Sequence, residues 1–293
     1  MDTSRQLFEQ EAAGWQRGVY DDIRSTFRAP IVNWIWRTLM ANDPDFTRYL
    51  WGQVKPAFQT RAFARCSIRY RDAVLSPIEA EFDLPSYRRD EIGVSPAEYR
   101  ELRGQLATYD VVGPRLAVLF DVVHRSLSGE VLGRDPADDR AATAPFPDWL
   151  DADRGRSPTL LDIEAIPAEL DTTVAAIQAF HGFDDGLPSI YRTLAQWPDL
   201  LEQLWTDAEP ILESDVFDQA CSGAEGVVGR YVDDLASTPR LAPDDLRSMG
   251  LDADRIEALA ALFETFRYGP VETVLPALPV WAAALDVEGD RGL

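Results

Sequence analysis

From Ala41 to Phe63 the chain reads ANDPDFTRYLWGQVKPAFQTRAF, and from Ala195 to Phe217, 154 positions further on, it reads AQWPDLLEQLWTDAEPILESDVF. In this register Leu50-Trp51 falls on Leu204-Trp205, Pro56 on Pro210 and Phe63 on Phe217, and upstream Ile23 falls on Ile177. Chance does not readily place two prolines, a tryptophan and a phenylalanine in one alignment. After a shift of two or three residues the match resumes, with Gly113-Pro114 on Gly269-Pro270. The chain therefore reads as a duplication, with copies over residues 15–128 and 168–286.

Inside each copy the apolar residues recur at helical spacing. Leu102, Leu106 and Tyr109 form one stripe, and Ile256, Leu259, Phe263 and Phe266 form its counterpart. Ser95-Pro96-Ala97-Glu98 carries the signals of a capping box with a first-turn proline, and Asp252 is placed to cap the equivalent helix. Alternation of period two and Asn-Gly hairpin signals are missing, so strands are not expected. The fold class is all-α: two repeated bundles of about five or six helices each, related by a pseudo-twofold whose shared face is the natural place for a pocket. The expected division is a first repeat over 1–128, an Asp/Pro/Gly-rich linker over 129–167 and a second repeat over 168–293. The linker reading rests on Asp135-Pro136, Asp138-Asp139 and Pro145-Phe146-Pro147.

Composition narrows the function. With 50 acidic against 28 basic residues, the net charge of −22 makes nucleic acid a poor partner, because phosphates are repelled by nearly the whole surface. Lys55 is the sole lysine, and an arginine-for-lysine, carboxylate-rich surface suits a salt-rich cytosol in which ions screen self-repulsion. Even the most apolar stretch, Leu116–Val123, contains Asp121, so no membrane span is expected. Met1–Glu11 lacks the basic start and apolar run of a signal peptide, which points to a cytoplasmic protein. Cys66 and Cys221 stand far apart and form neither a zinc nor a dithiol motif; they read as structural thiols.

Few residues are candidates for chemistry. Asp121 and His124 share a helical face, where a hydrogen-bonding role outweighs a ligand pair, and with two histidines in all no metal site is expected. His181 precedes Gly182 at a helix end, where a cation suits the dipole. The loop from Gly182 to Ser189 joins a helix end to a helix start, so it reads either as an anion-holding turn or as an ordinary Asp/Gly turn with Ser189 as N-cap. Trp34, Trp36 and Tyr191 fall at corresponding points of the copies and read as core or as a pocket lining.

Tyr20-Asp21-Asp22-Ile23-Arg24 with Arg28-Ala29-Pro30, and His181-Gly182 with Ser189 and Leu194-Ala195-Gln196-Trp197-Pro198, resemble the group I 2-haloacid dehalogenases, also called halocarboxylic acid dehydrogenases. The likeness extends weakly over most of both repeats. That family is all-helical with an internal duplication, and is similar in fold to the alkylhydroperoxidase-like proteins, although this chain lacks the cysteine pair of peroxidase chemistry. The resemblance implies hydrolysis of a carbon–halide bond in a short 2-halo carboxylic acid, with no cofactor and no covalent intermediate. An aspartate acts as general base, and the activated water displaces halide at the alpha carbon with inversion.

The family's aspartate follows the serine that matches Ser189, and here that position is Ile190. An asparagine and a tyrosine of the family pocket fall on Gly113 and Leu116, while Trp34 replaces a phenylalanine. The substrate-binding set carried over is thus Trp34, Ser189, Tyr191, Gly113 and Leu116. Asp185, in the preceding loop, and Asp110, on the helical face of Gly113, are candidate substitutes for the base. An Asp110–Arg267 ion pair is the structural alternative. Two functions stay open: a divergent enzyme acting on a small carboxylic acid, or a non-catalytic protein of the same fold that binds one. A homodimer is among the assemblies open to it.

Overall fold

Proline starts the long helix of the quoted stretch in both copies. A computed structural model describes residues 1–133, 140–150 and 155–292. In it α3 (Pro44–Phe58) and α8 (Pro198–Leu212) each open with proline in the first turn, where the missing N–H would have had no intrahelical partner. Asp43 caps α3 by accepting from the amide of Phe46 at 3.0 Å, whereas Trp197 offers α8 no side-chain acceptor. Leu50, Trp51 and Val54 are buried along α3, and Leu204, Trp205 and Ala208 along α8.

The remaining helices are α1 (Gly14–Phe27), α2 (Trp34–Asn42), α4 (Arg61–Glu81), α5 (Pro96–Leu127), α6 (Asp171–His181), α7 (Ser189–Leu194), α9 (Asp215–Asp233), α10 (Pro243–Ser248), α11 (Ala253–Arg267) and α12 (Val271–Ala283). Among the described residues the only bridge of β type is isolated, between Thr60 and Pro145. The protein is all-α. The start of α9 repeats that of α4 at the same spacing as α3 and α8.

The second copy carries more helices than the expected five or six. Copy one runs through Pro114 as the single 32-residue α5, while copy two breaks at Gly269-Pro270 into α11 and α12, with the short α10 before them. Gly269 takes φ of +86°, a left-handed conformation that ends α11 at little strain. Both expected caps form: Ser95 and Glu98 exchange bonds of 3.2 and 2.9 Å, and Asp252 accepts from Arg255 N at 2.8 Å.

Two compact units divide the chain. The first comprises Met1–Ser67, Arg115–Asp153 and Val228–Arg267, and the second Ile68–Pro114, Arg154–Val227 and Tyr268–Leu293. Each draws on both copies, and α4, α5 and α9 are shared between them, so compactness and duplication partition the chain differently.

The described part of the linker is docked in each unit rather than free. In the first unit, Arg28 lies over the Phe146 ring at 4.1 Å and donates to the Leu150 carbonyl at 2.6 Å, while Phe146 N donates to Gln59 O at 2.7 Å. In the second, Arg156 N donates to Gly104 O and Thr108 Oγ1 to Arg156 O, both at 2.7 Å. Gly155, at φ +94°, lets this contact close, since a Cβ there would lie 2.1 Å from Thr108 Oγ1. Asp135-Pro136 and Asp138-Asp139 lie outside the described residues.

Candidate functional site

Helix α7 carries the register in which the resemblance places its base, and the second unit clamps this helix from two sides. Tyr109, on α5, donates its hydroxyl to the Ser189 carbonyl at 2.9 Å and meets Thr193 Oγ1 at 2.7 Å. With its one proton committed to the carbonyl, the tyrosine oxygen accepts from Thr193. From α6, His181 Nε2 meets Tyr191 OH at 2.6 Å and Nδ1 meets Thr273 Oγ1 at 2.7 Å.

The histidine tautomer follows from the end of this chain. Thr273 donates its single proton to the Pro270 carbonyl at 3.2 Å, so it accepts from Nδ1–H, and Nε2 is left to accept from Tyr191. The relay therefore runs one way, from Tyr191 through neutral His181 and Thr273 to a backbone carbonyl. Burial drives the His181 pKa down to about 4, in keeping with a neutral ring. The expected cationic role at the helix end is accordingly replaced: burial between Tyr191 and Thr273 disfavours the charge that the dipole reading needs. Burial likewise pushes the Tyr191 hydroxyl well above the ordinary phenol range.

Between Ser189 and Tyr191 the side chain of Ile190 is buried, at 2% exposure. Ser189 opens α7 rather than capping it, the cap position being Pro188. The amides of Tyr191 and Arg192 both donate to the Pro188 carbonyl, at 3.0 and 3.2 Å, which removes them from any anion-holding turn. Asp185 is exposed in the preceding loop, with no hydrogen bond or ion pair among the described residues.

Asp110 is fully buried and accepts from Arg71 Nε at 2.9 and 3.1 Å and from Gly289 N at 2.9 Å. Arg267 has its own carboxylate, Asp121, at 3.1 Å, within a cluster in which Arg125 also reaches Asp121 and Asp233. The pairing expected between Asp110 and Arg267 is thus met by these other partners. Gly113 is buried against α12, and a Cβ added to it would touch Leu278 at 3.4 Å. Thus α7, Tyr109, Gly113 and Asp110 belong to the second unit.

Trp34 and Leu116 belong to the first unit. The Trp34 ring lies 5.0 Å from Phe266, which stacks on Phe120 at 5.0 Å, and Leu116 precedes Phe120 by one turn of α5. Trp34 is half-buried and Trp36 fully buried, so of the two tryptophans Trp34 is the one with accessible surface. Cys66 is buried, and burial pushes the Cys221 thiol up to about 12, which disfavours its thiolate. Among the described residues no group of three or more His, Cys, Asp or Glu is placed to hold a metal, and no helix is long and apolar enough to cross a membrane.

The profile of the family described as halocarboxylic acid dehydrogenase DehI matches residues 30–176, half of the chain. The chain belongs to that family. An (R)-2-haloacid dehalogenase of Pseudomonas putida is 25% identical over 261 residues, covering 85% of this chain and 82% of the relative. A configuration-inverting 2-haloacid dehalogenase of Pseudomonas sp. (strain 113) is 25% identical over 231 residues, covering 78% and 74%. Two solved structures share the fold: a D-2-haloacid dehalogenase mutant with D-2-CPA, at TM-score 0.81 and 21% identity over 96% of this chain and 95% of that one, and a D-2-haloacid dehalogenase with L-LA, at 0.80 and 21% over the same shares.

Within this DehI-family chain, several motif residues turn out to hold the fold. Tyr20 and Ile23 are buried, Asp22 receives Trp51 Nε1 and Lys55 Nζ, each at 2.8 Å, and Arg28 anchors the Phe146 segment. The residue that sequence reasoning missed is Arg71. Its signal was available, because a lone cation sits on the α4 stripe formed with Ile68, Val74, Leu75 and Ile78.

Proposed function

We propose that this chain is a divergent 2-haloacid dehalogenase relative that holds a short carboxylic acid and carries out little or no hydrolytic dehalogenation. The observation that carries this reading is the burial of Ile190, an aliphatic side chain at the position where the resemblance places the general base. An aliphatic group takes no proton from water. Neither candidate substitute has the environment a base needs, which is a partly desolvated carboxylate with a lone pair open to a water. Asp185 is exposed at the surface, and both oxygens of Asp110 already accept from Arg71. Gly113 and Leu116 add no side-chain hydrogen bond to position a water. Helix α7, which carries Ser189 and Tyr191, is held in place by Tyr109 and His181 although it presents no base, which favours binding over turnover. The acidic surface is read with it as adaptation to a salt-rich interior.

Halide release from each enantiomer of 2-chloropropionate tests this. The expected rate lies about 10²- to 10⁴-fold below that of a relative with its base in place. Ile190→Asp raises it slightly at most, because the supporting polar groups are still missing. Robust release by the wild type that Asp185→Asn or Asp110→Asn abolishes, with the melting temperature unchanged, identifies that aspartate as the base and overturns the reading. A catalytically silent protein that still binds 2-chloropropionate by calorimetry supports the non-catalytic form of the proposal.

A further inference from the structure

The second unit contains a cleft of about 460 Å³ that none of the residues discussed above as site candidates lines. One wall is a single stripe of α5, in which Arg100, Arg103 and Ala107 succeed one another at helical spacing beside Tyr99. Arg89 and Val287 add to the lining from outside that helix. Its charge is opposite to that of the molecule. In a chain with 50 acidic and 28 basic residues, three arginines and no carboxylate line this cleft.

The three arginines are not equivalent. Arg103 is fixed, with its guanidinium 5.7 Å from the centre of the Tyr99 ring and a terminal nitrogen 3.3 Å from an Asp286 carboxylate oxygen. Tyr99 is itself held by a bond from its hydroxyl to the Tyr87 carbonyl at 2.9 Å. Arg89 and Arg100 are exposed and have no ion pair among the described residues. Two uncommitted arginines thus share the cleft lining with the apolar surface of Ala107, Val287 and the tyrosine ring. Guanidinium forks match planar oxyanions in two-point contact, and the apolar surface rewards a hydrocarbon body that an inorganic anion lacks.

We propose that this cleft binds a small organic carboxylate with an aromatic or branched apolar body, at a site separate from the one assigned to the family reaction. Arg89 and Arg100 take the carboxylate, and Ala107, Val287 and Tyr99 take the body. The volume falls within the range of about 300–1,000 Å³ typical of small-ligand sites. The proposal does not depend on whether the protein dehalogenates.

Calorimetric titration with benzoate and with acetate tests it on the full chain, in moderate salt. Benzoate is expected to bind saturably and at least about tenfold more tightly than acetate, since only benzoate buries a hydrocarbon body. The double variant Arg89→Ala/Arg100→Ala is expected to lose at least about tenfold in benzoate affinity, while its melting temperature stays at the wild-type value because both side chains are exposed. Arg5→Ala/Arg17→Ala removes the same charge from exposed positions elsewhere and is expected to leave binding unchanged. The proposal is overturned if benzoate shows no saturable binding, if the Arg89/Arg100 variant binds it as the wild type does, or if the Arg5/Arg17 control loses as much. Binding that survives the Arg89/Arg100 variant assigns benzoate to another site.

Discussion

Trp51 and Trp205 occupy one register of the duplication and are equally buried, at 4% and 3% exposure, yet their surroundings differ in kind. Trp51 packs edge-on against Trp36 at 5.4 Å and Phe27 at 5.9 Å, and Phe27 in turn meets Phe58 at 4.9 Å. Trp205 faces Tyr191 at 5.9 Å, Trp281 at 6.3 Å and His181 at 6.3 Å. In the repeat register His181 stands where Phe27 does, and Ile190 where Trp36 does. One cluster is built of packed aromatic rings, with the Trp51 Nε1 bond to Asp22 at its rim, whereas the other threads a directed chain of hydrogen bonds through its centre. A duplicated helical scaffold can keep its packing while one copy trades an aromatic ring for a buried imidazole, provided that each new polar atom finds a partner.

The largest effect that can break this comparison lies in the first cluster. Trp36→Ala removes a fully buried indole that touches Trp51, and is expected to lower stability by about 3–5 kcal/mol in urea denaturation. A loss below about 1 kcal/mol, the scale of ordinary surface substitutions, means that the aromatic cluster is not the core of its unit.

The second cluster is distinguished by its response to acid. The folded pKa of His181 is about 4, below the ordinary 6.5, so between these values the unfolded chain binds the extra proton. Stability from this group is therefore full above about pH 6.5 and is lost as pH falls toward 4, by about 3 kcal/mol in total. His181→Phe, which installs the residue of the first copy, is expected to cost about 1–3 kcal/mol at pH 7 by leaving Tyr191 and Thr273 without their partner. Its stability then changes less than that of the wild type between pH 7 and 4. Parallel profiles for the two proteins sink the directed-relay account.

The smallest effect sharpens the comparison at the rim of the first cluster. Burial disfavours the Asp22 anion, but bonds from Lys55 and Trp51 outweigh it and hold the pKa below the ordinary carboxylate value. The carboxylate is 41% exposed, so Asp22→Asn is expected to cost no more than about 1 kcal/mol at neutral pH, and less in molar potassium chloride. A larger loss makes this pair part of the core after all.

Much of the fold was legible because proline, tryptophan and cap residues mark helix starts locally. Asp43, Ser95 and Asp252 act through amides three positions away, a distance that a sequence displays directly. The partition into units was not legible, since periodicity reports that a helix has an apolar face and not which helix covers it. The same limit hid the site chemistry. His181 finds Thr273 92 positions away, and Asp110 finds Arg71 39 positions away. For the ion pair there was still a trace: Arg71 and Asp110 are each a lone charge on an apolar stripe, and two such anomalies of opposite sign in one chain call for each other.

The backbone amide that completes the shell of Asp110 comes from Gly289, 179 positions later. On a ribosome adding about 5–20 residues each second, the carboxylate is made roughly 10–40 s before this donor exists. Through most of that interval the second unit also lacks α12, and throughout it the tail in which Arg291 grips Glu79 at 2.6 Å. The nascent chain thus holds an unfinished charge in an unclosed unit, and that interval is when chaperone binding has the most to protect. A message truncated shortly before codon 289 yields a protein with every helix from α1 to α12 and none of this final closure.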